Sequence, residues 1–330
     1  MKPSQSVHVL EDKYIEKTST AADTPTIAKK GLSKKTRENI WGYLFISPWI
    51  IGFLGLTLGP LLFSLAASFT DYNITSTMNF IGLDNYKQMF TVDTLFWTSL
   101  WNTLYYVIFS VPLTTAGAIL LAVLLNQKVY GMKIFRTIYY LPAVLSGVAV
   151  YFLWMQLLSP SAGLVNTFLG WFGIDGPAWL FDPKWTKPAL LLMKMWSVGG
   201  GMLLYLASLQ GVSQQMYEAA EIEGATAFQK FRYITLPMIS PVIFFDLVTS
   251  TIGAFQIFQE AYVMTENGSG GPSNSLLFYN LHMWNNAFKN FNMGYASAMA
   301  WLLFIIVMAL TVFNMKFGKK WVHYEGGDKK

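Results

Sequence analysis

Long apolar runs separated by short polar ones dominate this chain. Six runs, at about 41–69, 99–125, 134–158, 188–210, 237–264 and 293–315, are long enough to cross a hydrocarbon core that takes roughly 20 helical residues. Backbone polar groups in lipid must bond within their own segment, so each run is expected as a helix. The predicted fold class is all-α, with six transmembrane helices. Pro48 and Pro60 fall inside the first run and are expected to kink it. Residues 1–40 are polar without an apolar core and read as a disordered tail. They also place the first run too far along for an ordinary cleaved signal peptide. A second short tail is expected over 319–330, leaving 41–318 as the membrane domain.

Between the fourth and fifth runs the 211–237 loop holds a polar island, with Glu218 to Pro237 reading EAAEIEGATAFQKFRYITLP. It reads as two short helices around a bend. Ser213 suits the cap of the first, where Met216, Ala219, Ala220 and Ile222 recur at helical spacing. Gly224 sits where a left-handed residue closes a helix. Thr226 followed by Gln229 is a capping-box pattern that opens the second helix. Pro237 has the fixed φ that suits the first turn of the next apolar helix, while disfavouring a helical Leu236.

Composition and charge sharpen the membrane reading. With 53% hydrophobic and 12% charged residues, the chain has too little polar surface for a soluble domain of 330 residues. The net charge of +5 raises the question of nucleic acid, and the positions of the charges answer it. Of 23 lysines and arginines, 18 fall in the N-terminal tail, the 126–136 loop, the polar island and from Lys316 onward. By the positive-inside rule both termini and the polar island are cytoplasmic, so the charge reports orientation. Zero cysteines exclude disulfides and cysteine-ligated metal sites.

The polar island also carries a resemblance. Glu218-Ala219-Ala220, three residues, Gly224-Ala225, then Ile234, one residue and Leu236-Pro237 is similar to the EAA loop of binding-protein-dependent ABC importer permeases. The resemblance implies that Glu218, Ala219, Ala220, Gly224, Ala225, Ile234, Leu236 and Pro237 form a coupling helix docked on a cytoplasmic ATPase. Gly82-Leu83-Asp84-Asn85-Tyr86 resembles the GLxNY segment of the first external loop in sugar permeases. Gly270-Gly271-Pro272 resembles the GGP turn after the fifth span, and Gly294-Tyr295-Ala296-Ser297-Ala298 the small-residue opening of the sixth. Together these cover about 41–318 and resemble the carbohydrate-uptake branch, the maltose and glycerol-3-phosphate type. That branch usually has Asp where this chain has Glu223. The resemblance implies a second homologous permease, an ATPase dimer that hydrolyses the ATP, an extracytoplasmic solute-binding protein and a carbohydrate substrate. It also implies a bacterial or archaeal cytoplasmic membrane, and no cofactor or metal bound by this chain itself.

Apart from Arg136 at the edge of the third run, three charged residues fall inside the apolar runs: Lys194, Asp246 and Glu260. Lys194 either snorkels to the headgroups or has a functional role. Asp246, Thr249, Ser250, Gly253, Gln256 and Glu260 line one face of the fifth helix. Such a stripe must avoid lipid, and serves either interhelical hydrogen bonding or an aqueous path. For a sugar path the candidates are Asp246, Ser250, Gln256, Gln259 and Glu260, with Tyr262 as an aromatic platform. Trp179, Trp185 and Trp284 in the outward loops are either interface anchors or ligand contacts.

The chain has no G-x-x-x-x-G-K-[ST] phosphate loop, so its energy is expected from a partner ATPase or an ion gradient. An ion-coupled transporter calls for matching intramembrane carboxylates or broken helices in two repeats, and Asp246 and Glu260 lie on one helix only. A membrane enzyme finds no constellation here: His8, His282 and His323 lie in a tail, an outer loop and the other tail.

Overall fold

The computed structural model describes residues 33–323 apart from 76, 128 and 146. The tail expected over 1–40 lies outside the described residues as far as residue 32, as do His8, Lys128 and the end of the second tail. The chain divides into two compact units, up to Leu58 and from Gly59 onward. In the first, α1 (Lys34–Gly52) begins seven residues ahead of the expected Trp41. Lys34, Lys35, Arg37 and Glu38 are good helix formers, so propensity carries the helix beyond the apolar run. Pro48 lies inside α1, and a π-helical stretch, Phe53–Leu58, follows.

The second unit opens with α2 (Gly59–Ala67) and a short helix α3 (Asp84–Thr91), and is organised around α4 (Thr94–Leu125). Asp93 caps α4: its Oδ1 accepts from the N–H groups of Leu95 at 2.9 Å and Phe96 at 3.1 Å. The second span therefore starts five residues before the expected Ser99. Buried Phe96, Ser99, Thr103, Tyr106 and Ser110 recur every three or four residues on one face of α4. Their small hydroxyl members let neighbouring helices approach closely. α4 packs against elements of the third, fourth and fifth spans and against the segment between the last two spans.

Two expected spans are bent pairs. The third run folds as α5 (Met132–Val144) and α6 (Gly147–Leu157), divided where Leu145 adopts an extended ψ of 146°. α7 (Leu164–Gly170) lies in the loop that follows. The fourth run folds as α8 (Thr186–Trp196) and α9 (Gly199–Gln210), bent by 45°. Ser197 and the three glycines from Gly199 weaken the helix at that bend. The loop of the polar island holds α10 (Gln214–Ile222), α11 (Ala227–Lys230) and α12 (Leu236–Met238). The fifth run gives α13 (Ser240–Phe255) and α14 (Gln259–Met264); α15 (Tyr279–Trp284) and α16 (Met293–Gly318) complete the unit. Among the described residues, four helices qualify as spans by length and hydropathy, and six if each bent pair is one span.

Three buried clusters fill the second unit. Trp154, Leu190, Met193, Ile257 and Leu281 form the first; Phe96, Phe255, Tyr279, Tyr295 and Met299 the second; Ala122, Met202, Tyr205 and Ile239 the third. The fifth span passes through all three and is interrupted between the first two.

Candidate functional site

The polar island folds into a closed two-helix element. After α10, Gly224 takes φ +79°, its N–H donating to Glu221 O at 3.0 Å, and the N–H of Ala225 donates to Ala220 O at 2.9 Å. These two bonds satisfy the last carbonyls of α10 in the Schellman pattern. Thr226 then caps α11. Its backbone N–H donates to Gln229 Oε1 at 2.7 Å, and its Oγ1 accepts from the Gln229 N–H at 3.3 Å. Two further ties fix the angle between the arms: Lys230 Nζ lies 2.6 Å from Glu221 Oε1, and the hydroxyls of Tyr217 and Thr235 are 2.9 Å apart.

Two local expectations fail here. Ser213 stands at the N-cap of α10 but its side chain makes no capping bond. Leu236 is helical, with φ −60° and ψ −44°, in spite of the following proline. A π-helical stretch, Phe231–Thr235, leads into it, and the Leu236 N–H reaches back five residues to Phe231 O. The wider turn relieves the clash a proline ring makes with the carbonyl four residues earlier. Of the residues proposed for coupling, Glu218, Ala219 and Gly224 are exposed, and Ala220, Ala225, Ile234, Leu236 and Pro237 are half-buried. Outside the residues proposed for coupling, Ile222, Phe228 and Tyr233 are 89%, 73% and 74% exposed on the same element.

The fifth span leaves the helical conformation at Gln256–Phe258, with Phe258 at φ −149° and ψ −56°. The expected span 237–264 is thus interrupted. No proline falls there, but Gly253 weakens the preceding turn, and three polar side chains crowd the break. A cavity of about 450 Å³ opens beside it, between α13–α14, α4 and α8, lined by Ser250, Gln256, Gln259 and Glu260 together with Lys194 and Tyr106. A second, mainly apolar and wider-mouthed cavity of about 690 Å³ shares Gln256 and Phe258, and is lined by aromatic residues such as Trp284 and Phe304. The break stands between the two.

Asp246 is not part of either lining. Its Oδ2 accepts from Tyr205 OH on α9 at 2.6 Å and from Thr115 Oγ1 on α4 at 2.8 Å; its Oδ1 accepts from Ser250 Oγ at 3.0 Å. Of the two roles open to the polar stripe, Asp246 takes interhelical bonding while the residues one to four turns on take the cavity. Tyr262 stacks on Phe258 with ring centroids 5.5 Å apart and meets Trp284 edge-on at 4.8 Å. Trp179 donates its indole N–H to Asn166 Oδ1 at 2.7 Å and packs edge-on against Trp185.

The motifs expected in the outward loops turn out to be fasteners. Asn85 is buried, and its amide donates to Ser68 O at 2.9 Å and Thr70 O at 2.8 Å, closing the end of α2. Asn102 of α4 holds the segment after the glycine-rich turn by donating to Asn274 O at 2.8 Å and Leu277 O at 3.0 Å. At Gly294 the start of α16 runs so close to the 70–72 segment that a Cβ would collide with the Thr70 carbonyl. The Gly294 N–H donates to Tyr72 O at 2.8 Å. The sequence also gave no sign that His282 belongs to a cluster. Its Nε2 lies 2.7 Å from Asp93 Oδ2, which also accepts from Tyr295 OH at 2.6 Å. Burial would raise the Asp93 carboxyl, but the bonds from Tyr295 and His282 and the charge available on His282 outweigh it and hold the group below its ordinary value. One carboxylate thereby caps α4 and joins α15 to α16.

The family model for the inner membrane component of binding-protein-dependent transport systems matches residues 98–320, from the start of α4 to the end of α16. The chain belongs to this family. It is 42% identical over 295 residues to the probable ABC transporter permease protein YesP of Bacillus subtilis, covering 89% of this chain and 95% of that one. It is 36% identical over 285 residues to the lactose transport system permease protein LacF of Rhizobium radiobacter, covering 84% and 94%. Among solved structures it is similar to a chain of a bacterial alginate ABC transporter in complex with an alginate pentasaccharide-bound periplasmic protein. That match has a TM-score of 0.75 at 26% identity, over 86% of this chain and 95% of that one. The all-α, membrane-spanning fold expected from the apolar runs is the fold of such permeases, and the cavity beside Gln256–Phe258 lies within the matched region.

Proposed function

We propose that this permease is one half of the translocation pore of an ABC importer for sugars or oligosaccharides. The observation that carries the reading is the closed two-helix element at Gln214–Thr235, which presents Glu218, Ile222 and Phe228 from a chain of the binding-protein-dependent family. In this reading a cytoplasmic ATPase dimer docks on that element and hydrolyses the ATP, and the permease itself binds no nucleotide or cofactor. A second homologous permease completes the pore, and an extracytoplasmic binding protein delivers the substrate. The clustering of lysine and arginine supports termini and coupling element on the cytoplasmic side. Lactose and alginate in the names of similar proteins support a carbohydrate cargo.

The mechanism is a population shift. ATP-driven closure of the ATPase moves the paired arms as a unit, and the spans exchange between inward- and outward-open states that bind ATPase and binding protein differently. Ser250, Gln256, Gln259 and Glu260 offer the hydroxyl, amide and carboxylate partners that sugar hydroxyls need. The test is purification of the chain from membranes, identification of its companions, and ATP-driven sugar uptake in reconstituted vesicles. Gly224→Val forces a β-branched residue into positive φ at a cost of roughly 1–2 kcal/mol, with open space around the new Cβ. It is expected to leave insertion intact and abolish most ATP-driven uptake. Normal uptake in that variant, or recovery of the chain without an ATPase, overturns the reading.

A further inference from the structure

The loop between the third and fourth spans turns back on itself at once. After α6 ends at Leu157, the Gly163 N–H donates to Ser159 O at 3.0 Å, and a Cβ at Gly163 would collide with the carbonyls of Leu157 and Ser159. α7 is therefore held beside the last turn of the third span. One side of it is taken up by the protein: Val165 packs on the cluster that includes Leu158, and Asn166 Oδ1 accepts the Trp179 indole N–H. Another side is apolar and exposed. Leu164, Phe168 and Trp171 recur at i, i+4 and i+7, and Phe172 joins them through ring contact with Phe168 at 5.2 Å. All four are exposed, Trp171 at 77%. Thr167 and Gly170, exposed as well, fall outside this stripe.

We propose that this face is a membrane-surface anchor: α7 lies in the plane of the bilayer, with Leu164, Phe168, Trp171 and Phe172 in lipid at the boundary between headgroups and acyl chains. Charge selects lipid over a protein partner. From Ser159 to Ile174 there is no charged residue, whereas the loop after the first span carries Asp71, Asp84 and Lys87 and the one after the fifth carries Glu266 and Lys289. A soluble protein docks within a polar rim whose charges orient it, and this stretch has none. Continuity points the same way, because the adjoining α6 exposes Phe152 and Leu153, as a helix bordered by lipid does. Aromatic rings gather at the headgroup level, and short amphipathic helices settle there on their apolar face. Trp179 is already bonded to Asn166 and packed on Trp185, so the anchoring role passes from it to Trp171. The anchor goes beyond the importer reading and depends on neither the cargo nor the ATPase.

The chain has no cysteine, so Phe168→Cys, Trp171→Cys and Gly170→Cys can each carry a single nitroxide spin label. A Cβ at Gly170 meets nothing within 4 Å, which makes that variant the water-facing control on the same helix. The full-length chain is reconstituted in vesicles of phosphatidylethanolamine and phosphatidylglycerol. Collisions of the label are then measured with oxygen, which concentrates in lipid, and with a nickel chelate, which stays in water. The ratio of oxygen to nickel collisions is expected to be roughly tenfold higher in Phe168→Cys and Trp171→Cys than in Gly170→Cys. A ratio alike in all three variants, or one that favours nickel at the aromatic positions, overturns the proposal. So does shielding of those positions from both reagents, which means that a protein covers the face. Leu164→Cys gives the same readout if either aromatic variant fails to insert. The measurement involves neither ATP nor sugar, so its outcome is separate from that of the uptake assay.

Discussion

Asp246 shows how one side chain settles what a periodic pattern leaves open. Position placed it on a polar stripe with Ser250, Gln256 and Glu260, and spacing alone treats all four alike. Rotamer and register separate them: the Asp246 carboxylate meets Tyr205 and Thr115, while the residues beyond it meet the cavity. Asp246→Ala leaves two interhelical hydroxyls without their acceptor, so a loss of roughly 1–3 kcal/mol is expected. Asp246→Asn keeps an acceptor and should cost less. Thermal unfolding of the detergent-solubilised chain checks this, with uptake falling in step with stability. Uptake lost at unchanged melting temperature would instead put Asp246 in the translocation path. Gly224 and Gly294 are a similar contrast. Gly224 was recognisable as a helix terminator from its position after an EAA run, and its φ of +79° follows from that. The need for glycine at 294 comes from the Thr70 carbonyl, more than two hundred residues away in sequence, and nothing local reveals it.

At the level of elements, hydropathy located the apolar runs but could not see their interruptions. It counts residues in a window, and the breaks at Leu145, Ser197–Val198 and Gln256–Phe258 fall inside windows that stay apolar. Capping chemistry was more legible: the bonds of Thr226 with Gln229 are those the residue pair implies. Asp93 went unread because its capping role overlaps with a second one, joining α15 and α16 through His282 and Tyr295. That joint has a pH signature. Because the folded-state value of Asp93 lies below the ordinary 3.8, its contribution is fully present above that pH and is lost as pH falls through the folded value. The melting temperature is therefore expected to be insensitive to this group at neutral pH and to fall below about pH 4. Asp93→Asn should lower stability at pH 7 and flatten the acid limb; an acid limb of unchanged steepness in that variant would assign it to other groups.

For the whole molecule the surface to test is the small apolar one on the two-helix element that we propose docks an ATPase. Most apolar area on a membrane-spanning chain is there for lipid or other helices, so exposure alone says little. Ile222 and Phe228 are different because they sit on a polar loop beside Glu218. Phe228→Ser is expected to leave folding unchanged and weaken association with the ATPase by roughly 1–3 kcal/mol, read as reduced recovery of the ATPase on affinity purification. Full recovery would place the contact elsewhere on the element. The π-helical stretch at Phe231–Thr235 gives this surface its heading. Each added residue turns a helix by about 100°, so the extra residue of a π turn sets the rotational phase of everything before it against the span that follows. Length and angle together aim the docking face: a chain one residue shorter there could run as an unbroken α-helix into Pro237 and still point Ile222 and Phe228 in the wrong direction.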